Sequence, residues 1–581
     1  MMARGDLWGK VPAPGWGSAP SLAQLYLHAT PDRETETKRM IMMMRGGYAG
    51  VVLKVDLTNG TLLKEALDPG FARAYIGGRG FTSRLQYDLI SPQADPLGPE
   101  NVVIIAPGPL TGTPAPSSGR FTVGGRSPLT GILGDANSGG FWGAVLKRAG
   151  YDLILVHGQS PYPVYLSIDD DRIELRDARP LWGKDTRETE TLIRAELGRA
   201  FSVASIGQAG ENQVRFASLM ADVEHAAART GLGAVLGAKK LKAIAVRGTR
   251  GVPLHDAAGF QALSDELYEL LKTDSRSGKE LPEYGTTALL DHHTAIGGVN
   301  VRNFQAGLYE DKEMIDGDAL NAQYLVKATG CYRCPCKCDR HSRVTEGEFA
   351  GTDVGGPEYS TVVAFGSACG INNLAAILKA NELSNLYGLD TIETGNMIAF
   401  AMELRQRGIL SQEETDGLDL TWGNYHAMLE MIERITFRQG FGDLLAEGIV
   451  PAAQEIGRNA KRYAVHVKGM TSPPLDPRAV KVYNFRYAIA SRGADHLRIS
   501  APGAYGLDSL PVLEAATKLH FWENIVTIPD MLGVCKFPYS YYAETVERTL
   551  NKMLKVLPGL YTAATGCAVT GDDLLLARRL A

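Results

Sequence analysis

A chain of 581 residues, 45% hydrophobic and 22% charged, is long enough for roughly two to four domains around a large core, and this balance excludes a mainly disordered protein. A formal charge of −5 without any long Lys/Arg block leaves nothing to neutralise phosphates, so nucleic acid is not an expected partner. Seven cysteines, four of them in one loop, argue against a disulfide scaffold and for a reducing, cytoplasmic setting, and no stretch approaches the roughly 18 apolar residues of a membrane span.

Residues 1–45 mix Pro, Gly and charges without a period and end in a Met cluster, which reads as a disordered extension or an upstream start. Regular structure begins at Gly50, where Leu53, Val55 and Leu57 alternate with Lys54 and Asp56 and Asn59-Gly60 supplies hairpin turn residues. Val102 to Ala106 is a short apolar strand, and VYLSI, FSVASI and LKAIAVRG continue the strand character. Between these runs lie SSGRFTV around Arg120, DANSGG around Asn137 and Gly139, and EHAAARTGLGAVLG around Arg229. Each couples a side chain suited to phosphate or metal with glycines that expose backbone N–H groups, although a plain turn explains any one of them alone.

Beyond about Gly251 the pattern turns helical, as in FQALSDELYELLK and NLAAILKANELSNLYG. In the second, Asn372 or Asn373 can cap the start and Gly388 can close the end in the left-handed conformation. The expected architecture is α+β: a β-rich domain over 46–252, a helical domain over 253–465 that carries the cysteine loop, and a C-terminal helical domain over 466–581. No internal repeat is evident in the residues.

The loop CYRCPCKC sets Cys331, Cys334 and Cys338 in a C-x2-C-x3-C array, with Cys535 of DMLGVCKF as a distant fourth. Three thiolates in one loop plus a remote one is the usual grip on a cubane iron–sulfur cluster. A structural zinc would more often present two close pairs, and no second pair exists here, so the spacing favours the cluster over zinc or no metal. Cys336 breaks the spacing and reads as a bystander pointing away. Two further segments resemble each other, Asn385 to Asp390 (NLYGLD) and Asp530 to Cys535 (DMLGVC), which suggests a duplicated grip on a duplicated cofactor. Taken blind, Glu358 of GGPEYS is a helix-start residue and His496 of GADHLR a satisfied core group.

Together with GGRGF, DPLGPENVVIIAPGPLTG, SPLTG, SIGQAGEN, GLDTIETG and RGADH, these segments resemble, in order from about Gly47 to the C-terminus, the tungsten-containing aldehyde:ferredoxin oxidoreductase family. The resemblance implies a β-rich domain seating two pterins on one tungsten or molybdenum, covered by two helical domains. It implies one 4Fe-4S cluster on Cys331, Cys334, Cys338 and Cys535, and magnesium held by Asn137 and the carbonyl of Ala227. Arg120 would lie between cluster and pterin, with Gly139 and Arg229 in the neighbouring cofactor-binding segments. Asn385, Asp390, Asp530 and Val534 would contact the pterin rings, Asn385 standing where the family has Asp. Glu358 and His496 would face the metal as activating carboxylate and hydrogen-bond donor.

The implied reaction takes a small aldehyde to a carboxylic acid, with ferredoxin or an iron–sulfur subunit as electron acceptor and a homodimer as a candidate assembly. Rival readings are a tungsten benzoyl-CoA reductase-like subunit, for which Cys369 would be the cysteine near the metal, and a zinc-stabilised, non-enzymatic scaffold.

Overall fold

The computed structural model describes residues 46–498, 506–541 and 543–580; the expected extension at 1–45 lies outside them. The predicted hairpin forms as β1 (Val51–Asp56) and β2 (Thr61–Ala66), in which Val55 pairs with Leu62 and Gly60 takes φ 67° at the turn. Further strands are β3 (Val103–Pro107), β4 (Phe121–Arg126), β5 (Leu133–Ser138), β6 (Leu153–His157), β7 (Val164–Asp169), β8 (Arg172–Asp177), β9 (Ser202–Ser205), β10 (Leu219–Ala221), β11 (His225–Ala227) and β12 (Leu241–Arg247). They form two six-stranded sheets, ordered β2-β1-β6-β3-β4-β5 and β11-β10-β9-β12-β7-β8.

Written from its first strand, the second sheet has the order of the first, and each contains one parallel pair, β1 with β6 and β7 with β12. The intervening helices correspond as well. Trp142–Ala149 precedes β6 as Leu232–Ala238 precedes β12, and Gly78–Leu89 precedes β3 as Thr186–Leu197 precedes β9. The two sheets therefore repeat one strand topology, a structural repeat that the residues themselves do not announce. The repeat is hidden because strand order depends on where apolar residues alternate, which many side chains satisfy equally well.

Alternating residues of both sheets meet in one core: Leu53, Val103, Ile154 and Phe121 of the first face Leu166, Ala204 and Ile244 of the second. Their neighbours point outward under helices. Val52, Ile104 and Leu155 pack on Phe71, Phe81 and Leu85, while Tyr165, Val203 and Ala245 pack on Leu181 and Ile193. Coverage on both faces explains the unbroken apolar run of β3, which is buried at every position.

The rest is largely helical. Helix Leu374–Tyr387 starts at Asn373, whose Oδ1 accepts from Ala376 N at 3.1 Å, and stops at Gly388 with φ 73°. It joins Tyr359–Phe365, Thr391–Gln406 and Tyr425–Phe437 in one core. A second core gathers the C-terminal helices, and here Ala257–Thr273 packs through Phe260, Leu267 and Leu271 against Leu560, Tyr561 and Ala564. The last helical unit thus draws a helix from the start of the helical half. No helix of the described residues is long and apolar enough to cross a membrane.

Candidate active site

The two sheets meet at their edge strands, where Ser138 Oγ donates to the His225 carbonyl at 2.9 Å across β5 and β11. The ends of these two strands deliver Asn137, Gly139, His225, Ala226, Ala228 and Arg229 to one cavity of about 370 Å³, a size typical of ligand pockets.

The two similar turns dock on the two sheets in the same way. Both end helices, Leu374–Tyr387 at Gly388 and Val512–Leu532 at Gly533, and both glycines have φ near the left-handed well, 73° and 80°. Ser218 N donates to Gly388 O (2.7 Å) and Arg120 N to Gly533 O (3.3 Å), from positions just ahead of β10 and β4. The turns press so closely that a Cβ on Gly207 would lie 2.3 Å from the Tyr387 carbonyl carbon, and one on Gly108 would lie 2.1 Å from that of Leu532. Only glycine tolerates such an approach.

Glu358 stands at the start of helix Tyr359–Phe365, opposite Thr286, whose hydroxyl donates to Glu358 Oε2 while accepting from Tyr359 N at 2.8 Å. Burial pushes the Glu358 carboxyl up to about 7, partly offset by the Thr286 hydrogen bond. His496 reaches the same cavity from a different segment, and burial drives its pKa down to about 3, with Arg229 and Arg492 adding to the depression against the pull of Asp495. His496 is therefore neutral at ordinary pH. His293 also lines the cavity, neutral for the same reason (about 3), with Nδ1 2.7 Å from the Tyr359 hydroxyl.

Of the sequence-predicted residues, Arg120, Asn137, Gly139, Arg229, Cys331, Cys338, Glu358, Asn385, Asp390 and His496 line this cavity together. Ala227 sits within its rim but is itself turned into the core, while Asp530, Val534, Cys334 and Cys535 lie behind the wall. Asp390 caps helix Thr391–Gln406, accepting from Ile392 N at 2.9 Å, and pairs with Arg229 (3.4 Å). Arg120 spans the cavity wall, with Nη1 3.3 Å from Asn137 Oδ1 and Nη2 donating to Cys535 Sγ at 3.0 Å.

Cys336 is buried beside Leu281 and Ala288, as a bystander would be, and Cys334 packs against the same small cluster, with its thiol lowered below the usual range by its neighbour Cys336. Ser117 Oγ donates to Cys334 at 3.2 Å. Burial pushes Cys331 up to about 12 and raises Cys338 and Cys535, with Arg120 opposing at Cys331 and Cys535. Among the described residues no three His, Cys, Asp or Glu side chains gather closely enough to hold one metal ion. Cys369 is far from this chemistry: it is fully buried in the helical core, its thiol donating to Ala364 O (3.3 Å).

Sequence reasoning missed Thr286, His293, Arg492, Arg498 and Lys536. Arg498 joins two aspartates, Asp135 and Asp530 (3.2 Å), and Lys536 donates to the same Asp530 Oδ2. Arg492 and Lys536 lie inside the segments RGADH and DMLGVCKF, a usable signal; nothing in the sequence marks Thr286. Several buried polar atoms in and behind the cavity lack partners among the described residues, including Asp530 Oδ1 and Arg229 Nε, and the Asn385 amide makes no hydrogen bond with them either. Buried groups of this kind are usually satisfied, so these point towards a polar occupant.

Comparison with known proteins agrees. The family model described as aldehyde ferredoxin oxidoreductase, N-terminal domain, matches residues 52–248, and that for domains 2 and 3 matches 262–579. The tungsten-containing aldehyde ferredoxin oxidoreductase of Pyrococcus furiosus is 42% identical over 519 residues, 87% of this chain and 85% of that protein. Its Thermococcus kodakarensis counterpart is 41% identical over 523 residues with the same coverage. Among solved structures, the active-site complex BamBC of benzoyl coenzyme A reductase with 1,5-dienoyl-CoA superposes with a TM-score of 0.81 at 28% identity, covering 92% of this chain and 88% of that one. The chain is thus an α+β oxidoreductase. More particularly, it belongs to the aldehyde ferredoxin oxidoreductase family.

Proposed function

We propose that the chain oxidises an aldehyde to a carboxylic acid at a bis-pterin tungsten or molybdenum centre, passing electrons through a 4Fe-4S cluster to ferredoxin or an iron–sulfur subunit. The observation that carries this reading is that Glu358 and His496, from separate segments, face one cavity whose wall also holds Cys331, Cys338 and Arg120. When bound, the metallopterin supplies a Lewis acid and a two-electron sink.

The orphaned Asp530 Oδ1 and Arg229 Nε, with the Asn385 amide, suit the pterin rings and phosphates, and Asn137 with the Ala227 carbonyl offers the hard oxygens magnesium takes. Burial raises the Cys331, Cys338 and Cys535 thiols, and a cationic cluster would draw off their protons. A reducing cytoplasm, inferred from cysteine usage, would keep them available.

Glu358, titrating near neutrality, takes a proton from water as its oxygen attacks the carbonyl carbon, and Thr286 fixes the carboxylate for that step. Neutral His496 donates an N–H to the carbonyl oxygen as negative charge grows there. Each aldehyde plus one water yields a carboxylate, three protons and two electrons, which two one-electron acceptors carry away.

The likeness to BamBC favours a second reading, reduction of an activated aromatic ring in the same cavity. The cysteine that reading wants beside the metal, Cys369, is buried elsewhere, so the oxidative reading is preferred. Family membership leaves no support for a non-enzymatic zinc scaffold. Anaerobic purification with elemental analysis, then an aldehyde panel with a viologen acceptor and an aromatic thioester for comparison, tests both. Tungsten or molybdenum with iron, and aldehyde-dependent viologen reduction, is the expected result; a colourless, metal-free protein or thioester reduction alone would overturn it.

A further inference from the structure

A groove on the outer side of the cysteine loop is bounded by that loop and helix Ala257–Thr273. Cys331 lines both this groove and the inner cavity, and Cys334 lines the groove alone, so the wall between cavity and surface is one cysteine thick at Cys331. Three cations line the groove, Lys272, Arg333 and Lys337, against one carboxylate, Asp265. Lys272, Arg333 and Lys337 are exposed, and none forms an ion pair with any described residue, whereas most other long basic side chains that flank the site are paired. Arg333 and Lys337 also sit at φ 54° and 42°, the left-handed region that glycine occupies more readily. Both exposed side chains flank the half-buried Cys334 in the loop. The setting is unusual for a chain whose overall charge is −5.

We propose that this groove is the docking site of an acidic iron–sulfur electron carrier, with Arg333, Lys337 and Lys272 pairing with its carboxylates over Cys331 and Cys334. The proposal rests on the reading of the four cysteines as cluster ligands and adds where the partner binds and by what chemistry. Each docked carrier in its oxidised form accepts one electron and leaves reduced, so two dockings complete one aldehyde oxidation. Electrostatic pairing of this kind steers encounter and fails with rising salt, because exposed charges are screened beyond about 8 Å at physiological ionic strength.

The test uses the anaerobically purified holoenzyme and an acidic two-cluster ferredoxin, with binding read by calorimetry and iron content and viologen-linked aldehyde oxidation read in the same samples. Wild type should bind ferredoxin with a Kd that weakens about tenfold between 0.05 and 0.5 M salt. The double variant R333E/K337E should weaken binding at low salt by about tenfold or more, with viologen-linked turnover kept, since a small acceptor needs no such surface. K272E, outside the cysteine loop, should weaken it about two- to threefold with iron content intact, and it decides the matter if the double variant loses iron. Salt-independent binding, or a Kd unmoved in K272E and in an iron-replete double variant, overturns the docking site. Because binding is measured directly, that outcome does not depend on which substrate is oxidised, and a failure of aldehyde turnover in wild type would count against the function alone.

Discussion

The two halves of the sheet domain share strand order, a parallel pair and a docked helix end, yet they carry different chemistry. Two residues past its glycine, the turn on the first sheet presents Cys535, held by Arg120 at 3.0 Å; the turn on the second presents Asp390, which caps a helix and pairs with Arg229. Arg120 in the first half corresponds to Ser218 in the second, and Asn137 to Ala226, by the register of β4 with β5 and of β10 with β11. The two halves match where backbone meets backbone and differ where side chains meet the cavity. One half faces the cysteines, and the other supplies a buried ion pair.

The largest effect that would sharpen this contrast is at the paired positions themselves. Cys535→Ser should strip or badly destabilise the cluster, with iron and turnover both lost, because a hydroxyl replaces thiolate poorly at iron. Asp390→Asn, its counterpart, should keep iron and lower stability by about 1 to 2 kcal/mol through the weakened Arg229 contact. Cys336→Ser should retain iron despite its contact with Cys334. Iron analysis and thermal melts read all three, and equal iron loss in the serine and asparagine variants would erase the asymmetry.

A smaller effect tests the equivalence instead. Gly108→Ala and Gly207→Ala each force a methyl into a facing carbonyl and should cost similar amounts, about 1 to 3 kcal/mol. Chemical denaturation of the two variants would reveal unequal docking as unequal midpoints. The smallest lies on the cavity wall that carries Glu358, where Thr286→Val removes a hydrogen bond that holds the Glu358 pKa down. The rising limb of the pH–rate curve should then move to higher pH by roughly half a unit to one unit, with metal content unchanged.

The local features of the fold are readable in the residues; the distant pairings are not. The β1–β2 hairpin and the Asn373 cap follow from alternation and local capping chemistry, which act within a few residues. The cysteine array and the two similar turns are equally local. The repeat of the sheet topology is hidden because its halves keep register and glycine placement while differing in side chains and in loop length, 127–132 against 222–224. Thr286 and Arg498 carry no local signal because their partners, Glu358, Asp135 and Asp530, lie 32 to 363 residues away.

The central claim is that Glu358 is the base in a cavity walled by the cysteine loop. Its most direct test is the pH–rate profile of wild type and Glu358→Gln, with iron and tungsten or molybdenum measured in the same samples. A carboxyl raised to about 7 is protonated and idle below that pH and active above it, so wild-type turnover should rise through neutrality. Glu358→Gln should lose that limb and about 10² to 10⁴-fold of the rate with both metals unchanged. Full activity in the glutamine variant, or activity lost only in step with the metals, would contradict the account.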